Sequence, residues 1–263
     1  MGLIVRMLPP QIGSHQKVFF RSFLGLLLLL AFFRAMRRPI GAPRDIAGLV
    51  SRGAFGGFAL ILFFYSIDHS GLVKATLYCY TYPVFAALLA WPVLRERVGP
   101  RDELGLALGA VGPVLTLDSD GWLPRFGSGD AAGLASGALS GAAVISIRKL
   151  HRTDTSTWIV ISFTAVSSLL VLPLMAPVYV QPSPAAAAAL LAIALLATVA
   201  QLFMTAAYRH LPATEGSVLA LGTVPLSAIL SMLVLNEPLS ARFWVGAGLI
   251  FALGLAAFAA HLA

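Results

Sequence analysis

Charge is what this sequence has least of. Only 11% of its 263 residues are Asp, Glu, Lys or Arg, against about 25% in a soluble globular domain. So few charges cannot cover a soluble fold with polar surface. A hydrophobic fraction of 59% and a mean hydropathy of +0.88 point instead to an integral membrane protein. There is a single cysteine, Cys79, inside an apolar run. That excludes an intrachain disulfide or a cysteine metal cluster, and Cys79 reads as a small buried side chain. No GxxxxGK[ST] stretch occurs, so nothing suggests ATP as the driving force. The five histidines, His15, His69, His151, His210 and His261, fall near helix ends. None stands at metal-ligand spacing from another histidine or a carboxylate, and no Ser/His/Asp set can be placed at one depth. No metal, cofactor or catalytic residue is expected. An intramembrane enzyme and a non-transporting scaffold or truncated inactive copy remain the alternatives to transport.

The net charge of +7 does not imply nucleic acid, because the basic residues form short clusters between apolar runs rather than one basic face. Apolar runs of about 20 residues lie near 16–33, 47–67, 71–94, 102–118, 131–149, 157–177, 185–207, 213–235 and 241–262. That predicts nine spans in an all-α membrane bundle. Lys17 and Arg21 ahead of Leu26–Leu30 imitate a signal peptide, but Arg34, Arg37 and Arg38 follow without a small-residue cleavage site, so the segment reads as a retained span. Ahead of it, MGLIVRML is too short to cross. It reads as the tail of a first helix that is largely missing.

Alternate loops carry Arg34, Arg37, Arg38 and Arg44, then Arg95, Arg97 and Arg101, then Arg148, Lys149 and Arg152, then Arg209. Basic loops favour the cytoplasmic side, which puts the C-terminus there too, in a plasma membrane such as the bacterial inner membrane. The intervening loops hold Asp68, then Asp118, Asp120, Arg125 and Asp130, then Glu237 and Arg242.

Two stretches echo one another. FYSIDHSGLVKATLYCYTYPVFAALLAWPVLRERVG aligns with MTAAYRHLPATEGSVLALGTVPLSAILSMLVLNEPLS. Each has a tyrosine (Tyr65, Tyr208), a polar break, a span with an internal proline (Pro83, Pro225) and a closing carboxylate (Glu96, Glu237). Glu96 falls on the cytoplasmic side and Glu237 outside, so the repeats are inverted. Residues 1–120 form the first repeat and 121–263 the second, each of about five helices. Inverted repeats with proline-interrupted spans at matching positions point to a secondary transporter with its site at the repeat interface.

The stretches VFFRSFLGLLLLL (18–30), LVSRGAFGGFALILFFYSI (49–67), YTYPVFAALLAWPVLRERVG (80–99) and VPLSAILSMLVLNEPLSARFWVGAGLI (224–250) carry a resemblance to the EamA-domain family of the drug/metabolite transporter superfamily. The resemblance covers nearly the whole chain. It implies ten helices in two inverted repeats, a central cavity, and movement of small metabolites such as an amino acid, amine or related solute. It implies no cofactor.

Polar groups at membrane depth are expensive, so each is a functional candidate. Glu215 could take up a proton or meet a cationic substrate, or it could be an interfacial carboxylate favoured by the helix dipole. Lys74 could couple charge or snorkel to the interface. Arg21 could hold an anionic group, or pair with a carbonyl or an outer-loop Asp. Tyr78 and Tyr82, four apart, are expected on one face beside a kink at Pro83, with Tyr80 pointing elsewhere. Gln201 and Thr205 form a second such pair. Tyr65 and Trp158 complete the expected cavity lining, with Trp158 equally readable as a belt residue. A kink is expected at Pro225 as well. Gly53 and Gly57, Gly105 and Gly109, and Gly133, Gly137 and Gly141 form small-residue stripes for packing in the bundle, or less favourably for a homodimer face. The expected partners are a small-molecule substrate and the lipid bilayer, and not nucleic acid.

Overall fold

The computed structural model describes residues 1–37, 40–95 and 126–235. The expected spans at 102–118 and 241–262, with Glu96, Glu237, Gly105 and Gly109, lie outside the described residues. Within them the chain folds into helices α1 (Gly2–Met7), α2 (Ser14–Ala35), α3 (Ile46–Ser70), α4 (Leu72–Cys79), α5 (Tyr82–Leu94), α6 (Ser128–Leu150), α7 (Ser156–Met175), α8 (Pro184–Ala207), α9 (Ala213–Ala220) and α10 (Thr223–Leu235). There is no strand among the described residues. Six apolar helical segments are long enough to cross a bilayer: Ser14–Ala35, Ile46–Ser70, Leu72–Leu94, Ser128–Leu150, Ser156–Val178 and Pro184–Ala207. Each falls on one of the expected spans.

Local sequence sets the helix limits. The Asp45 carboxylate accepts from the Gly48 N–H at 2.8 Å and starts α3, and the Ser183 hydroxyl caps α8 by accepting from the Ala186 N–H. Pro184 follows in the first turn of α8, where a missing N–H costs nothing. A single glycine, Gly71, separates α3 from α4. Its φ of 81° is open to glycine and strained for other residues.

The expected kinks are full breaks. α4 ends at Cys79 and α5 begins at Tyr82, leaving Tyr80 and Thr81 between them. Pro83 therefore stands in the first turn of α5, not in the middle of a continuous helix. The matching segment is also in two pieces, α9 and α10, parted at Leu221–Gly222, with Pro225 in the opening turn of α10. Pro92 and Pro173, by contrast, lie inside α5 and α7.

Two sets of side-chain contacts mark the two ends of the bundle. At one end the basic loops gather. The Asp154 carboxylate accepts from the Arg44 and Asp45 N–H groups at 2.8 and 3.0 Å, Trp158 Nε1 donates to the Gly41 carbonyl at 3.1 Å, and Arg148 donates to the Tyr208 and Arg209 carbonyls. At the other end Lys17 pairs with Asp68 at 2.6 Å, Gln16 makes paired bonds with the Val180 backbone, and Ser70 donates to Asp130 at 2.8 Å. Burial pushes the Asp154 carboxyl up, but the hydrogen bonds from Arg44, Thr153 and Asp45, with the Arg44 charge, outweigh it and hold it below its ordinary value.

The glycines on α6 are packing positions. A Cβ at Gly133 would meet Ser66 and Tyr78, at Gly137 the Thr81 hydroxyl and the Tyr78 carbonyl, and at Gly141 Phe85 and the backbone of Ala86 and Tyr82. The stripe receives the broken segment α4–α5 inside the bundle, and so is not a free face for a second copy. Gly53 and Gly57 do the same on α3, against Val166 and Ser167 of α7.

Candidate functional site

The two broken segments lie side by side. α9 packs on α5 and α10 packs on α4, so the segments run antiparallel and cross at their breaks. The Tyr80 side chain, in the first break, stands beside that of Thr223, at the second. Beside this crossing stands Tyr208, almost wholly buried. Its hydroxyl is 3.1 Å from Ser217 Oγ on α9, and Tyr82 is a further hydrogen-bond neighbour of the phenol. Gly216 leaves room for the Tyr208 ring, since a Cβ there would stand 2.6 Å from it. Hydroxyl groups from α5, the residue that closes α8, α9 and the two breaks thus converge where a membrane bundle would otherwise be apolar. A buried Tyr hydroxyl needs such partners.

A cationic cluster flanks this crossing. Arg21 of α2 and Arg52 of α3 are each more than nine-tenths buried. Both guanidinium groups lie over one ring, Phe163 of α7, at 5.1 and 4.5 Å from its centroid. Phe163 belongs to the apolar cluster that reaches Val18, Leu60 and Ile193. Ile159, one turn earlier, belongs to the cluster with Leu49, Tyr82 and Tyr208. The arginines therefore sit where the two apolar clusters meet, about 10 Å along from the start of their helices. Arg52 is also within electrostatic reach of the Tyr208 phenol.

The residues expected from sequence do not gather in one place. Tyr82 is at the crossing. Tyr80, expected to point elsewhere, is its ring neighbour at 5.6 Å, because the break at 80–81 interrupts the helical register. Tyr78 turns the other way, packs on Gly133 and meets Phe126 edge-on. Arg21 is in the buried cluster, and Asp68, which lies in the last turn of α3 rather than in a loop, is taken by Lys17.

At the far end, Tyr65 stacks on His69 at 3.9 Å and its hydroxyl is 3.3 Å from Ser128 Oγ. Lys74 lines a cleft of about 360 Å³ with His69, Ser70 and Asp130. At the basic end, Trp158 is half-buried, its indole bonded to the Gly41 carbonyl and its ring packed on the cluster that includes Tyr82 and Tyr208. Gln201 Nε2 donates to Thr205 Oγ1 at 3.5 Å, and the Thr205 carbonyl bonds the His151 ring at 2.7 Å. Glu215 is half-buried in the first turn of α9.

Sequence reasoning missed Arg52, Phe163 and the role of Tyr208 as a site residue. Arg52 gave a signal, a lone cation within the apolar stretch 47–67. Phe163 gave none, since aromatic residues are ordinary in a membrane helix.

Comparison with known proteins agrees with this architecture. A solved crystal structure superposes with a TM-score of 0.74 over 98% of this chain and 96% of the other, at 17% identity, which establishes a shared fold. The pseudopaline exporter CntI of Pseudomonas aeruginosa is 29% identical over 215 residues, covering 81% of this chain and 75% of the exporter. A riboflavin transporter of Rhizobium johnstonii is 30% identical over 226 residues, covering 84% of this chain and 67% of that protein. Human solute carrier family 35 member G1 is 24% identical over 150 residues, 52% of this chain and 41% of the carrier. The sequence profile of the EamA-like transporter family matches residues 1–117 and 127–257. The chain belongs to the EamA-like transporter family, within the drug/metabolite transporter superfamily.

Proposed function

We propose that this protein is a secondary transporter of a small metabolite, working by alternating access around the crossing of its two broken segments. The observation that carries the reading is that crossing: two apolar segments, each parted just ahead of a proline, lie antiparallel with their breaks in contact. Broken helices at the midplane give a transporter polar backbone and side-chain groups where lipid-facing helices have none. The relatives named above, an exporter of pseudopaline and a riboflavin transporter, favour a small organic solute for this chain.

In this reading residues 1–120 and 121–263 are inverted repeats that rock about the crossing. The end carrying Arg44, Arg148, Lys149, Arg152 and Arg209 faces the cytoplasm, following the positive-inside rule, and the C-terminus lies on that side of a bacterial inner membrane. Tyr80 and Tyr82 line the solute path. Glu215, in the opening turn of α9, is the candidate proton carrier.

Purified protein in proteoliposomes tests this without nucleotide present. Labelled amino acids, amines and riboflavin are offered against a trapped unlabelled pool. Saturable counterflow is the expected result. Flux no greater than in protein-free vesicles, or flux that requires ATP, contradicts the reading and returns the enzyme and scaffold alternatives. Glu215→Gln is expected to change the pH dependence of that flux, and an unaltered profile removes Glu215 as the carrier.

A further inference from the structure

We infer that the Arg21–Phe163–Arg52 cluster is the anion-binding part of the solute site, and that the solute carries a carboxylate or phosphate group. The inference deepens the transport reading and rests on it for the word solute; the binding site itself rests on geometry. Two like charges share one ring in the interior of the bundle, and each opposes the other electrostatically. Neither has a carboxylate within ion-pair distance among the described residues. Arg21 Nε and Arg52 Nε and Nη1 are buried without a hydrogen-bond partner.

Leaving a buried charge uncompensated costs more than a cation gains from lying over an aromatic face. The ring does not balance two such charges. An anion placed between them would, because a guanidinium fork matches the planar oxygens of a carboxylate or phosphate.

The surroundings fit such a guest. Gly56 makes space for the Arg52 head, since a Cβ there would strike Arg52 Nη1 and stand 2.7 Å from the Phe163 ring. The Ser22 hydroxyl, next in sequence to Arg21, and the Ser167 hydroxyl, one turn beyond Phe163 and beside Gly57, are also buried without partners. The flat Phe163 face supplies an apolar platform for the rest of the solute. The neighbouring hydroxyls of Tyr208 and Tyr82 offer neutral contacts toward the crossing.

The full chain, purified in detergent, is melted with succinate, inorganic phosphate, putrescine or glucose at matched ionic strength. Succinate or phosphate is expected to raise the melting temperature, with succinate alone indicating a carboxylate solute and phosphate alone a phosphate ester. Arg21→Gln and Arg52→Gln are each expected to weaken the effective anion by about tenfold, or about 1.4 kcal/mol.

A second measurement needs no variant. Phenylglyoxal modification of Arg21 and Arg52 in the wild-type chain, followed by mass spectrometry, should be slowed by the same anion and not by putrescine or glucose. The inference is overturned if neither anion shifts melting or slows modification, or if both Gln variants respond as the wild type does. Counterflow of only neutral or cationic solutes, with no anion binding, overturns the inference and leaves the transport reading standing. Anion binding without any counterflow does the reverse.

Discussion

Gly137 sits where α6 crosses the break between α4 and α5. A Cβ there would fall on the Thr81 hydroxyl and 2.8 Å from the Tyr78 carbonyl. Those two groups are bonded to one another at 2.7 Å, so neither gives way without losing that bond. Gly137→Ala is expected to cost about 1–3 kcal/mol by overpacking, read as a lower melting temperature in detergent. An unshifted melting curve would mean that α6 does not press on the break. Single residues were unevenly legible. The glycine spacing on α6 was visible in the sequence, and so was the position of Arg21 within an apolar run. Arg52 was equally visible but close to the start of its span, where a cation reads as interfacial. Its depth follows from the Asp45 cap, which starts α3 at Ile46, and from the room left by Gly56. Phe163 acquires meaning only from the two cations that tertiary packing brings over it.

At the scale of elements, hydropathy located the helices well because bilayer thickness fixes the length of an apolar run. The expected spans at 131–149 and 185–207 differ from α6 and α8 only at their ends, where capping by Asp130 and Ser183 sets the boundary. The breaks were less legible. A proline disrupts the helix on its N-terminal side, and that much predicts a kink. A true break also requires a partner and room for the freed backbone: the Thr81 hydroxyl donates to the Tyr78 carbonyl, and the facing glycines of α6 leave the space. The loop after α6 gives a separate prediction. Asp154 has a folded-state carboxyl below its ordinary value, so the unfolded chain binds the proton more readily. The stability it contributes is full at neutral pH and is lost as pH falls through the ordinary carboxylate range and below. Asp154→Asn should therefore lower the melting temperature at neutral pH and flatten its decline in acid. A steeper acid decline in the variant would contradict the assignment of the Arg44 and Asp45 bonds to this carboxylate.

At the scale of the whole molecule, the sequence pattern of basic and acidic loops corresponds to two ends of one bundle. Arg44 and Gly41 bond Asp154 and Trp158 at one end, where His151 and Arg148 at the end of α6 bond the carbonyls of Thr205 and Arg209, and the pairs Lys17–Asp68 and Ser70–Asp130 lie at the opposite end. That division was legible because charge stays out of lipid. Which segments become neighbours was not, since lipid-embedded helices associate through shape and small residues rather than hydrophobicity. The crossing of the two broken segments is a product of such packing, and it is the centre of the functional account.

Two-sided accessibility of that crossing is the direct measurement. Cys79, the one native cysteine, is replaced by serine, and Tyr80→Cys places a thiol in the first break. A membrane-impermeant thiol reagent is then added to right-side-out or inside-out vesicles. The account predicts modification from either face, slowed from both by a transported solute. Modification confined to one face, whatever solute is present, would contradict it.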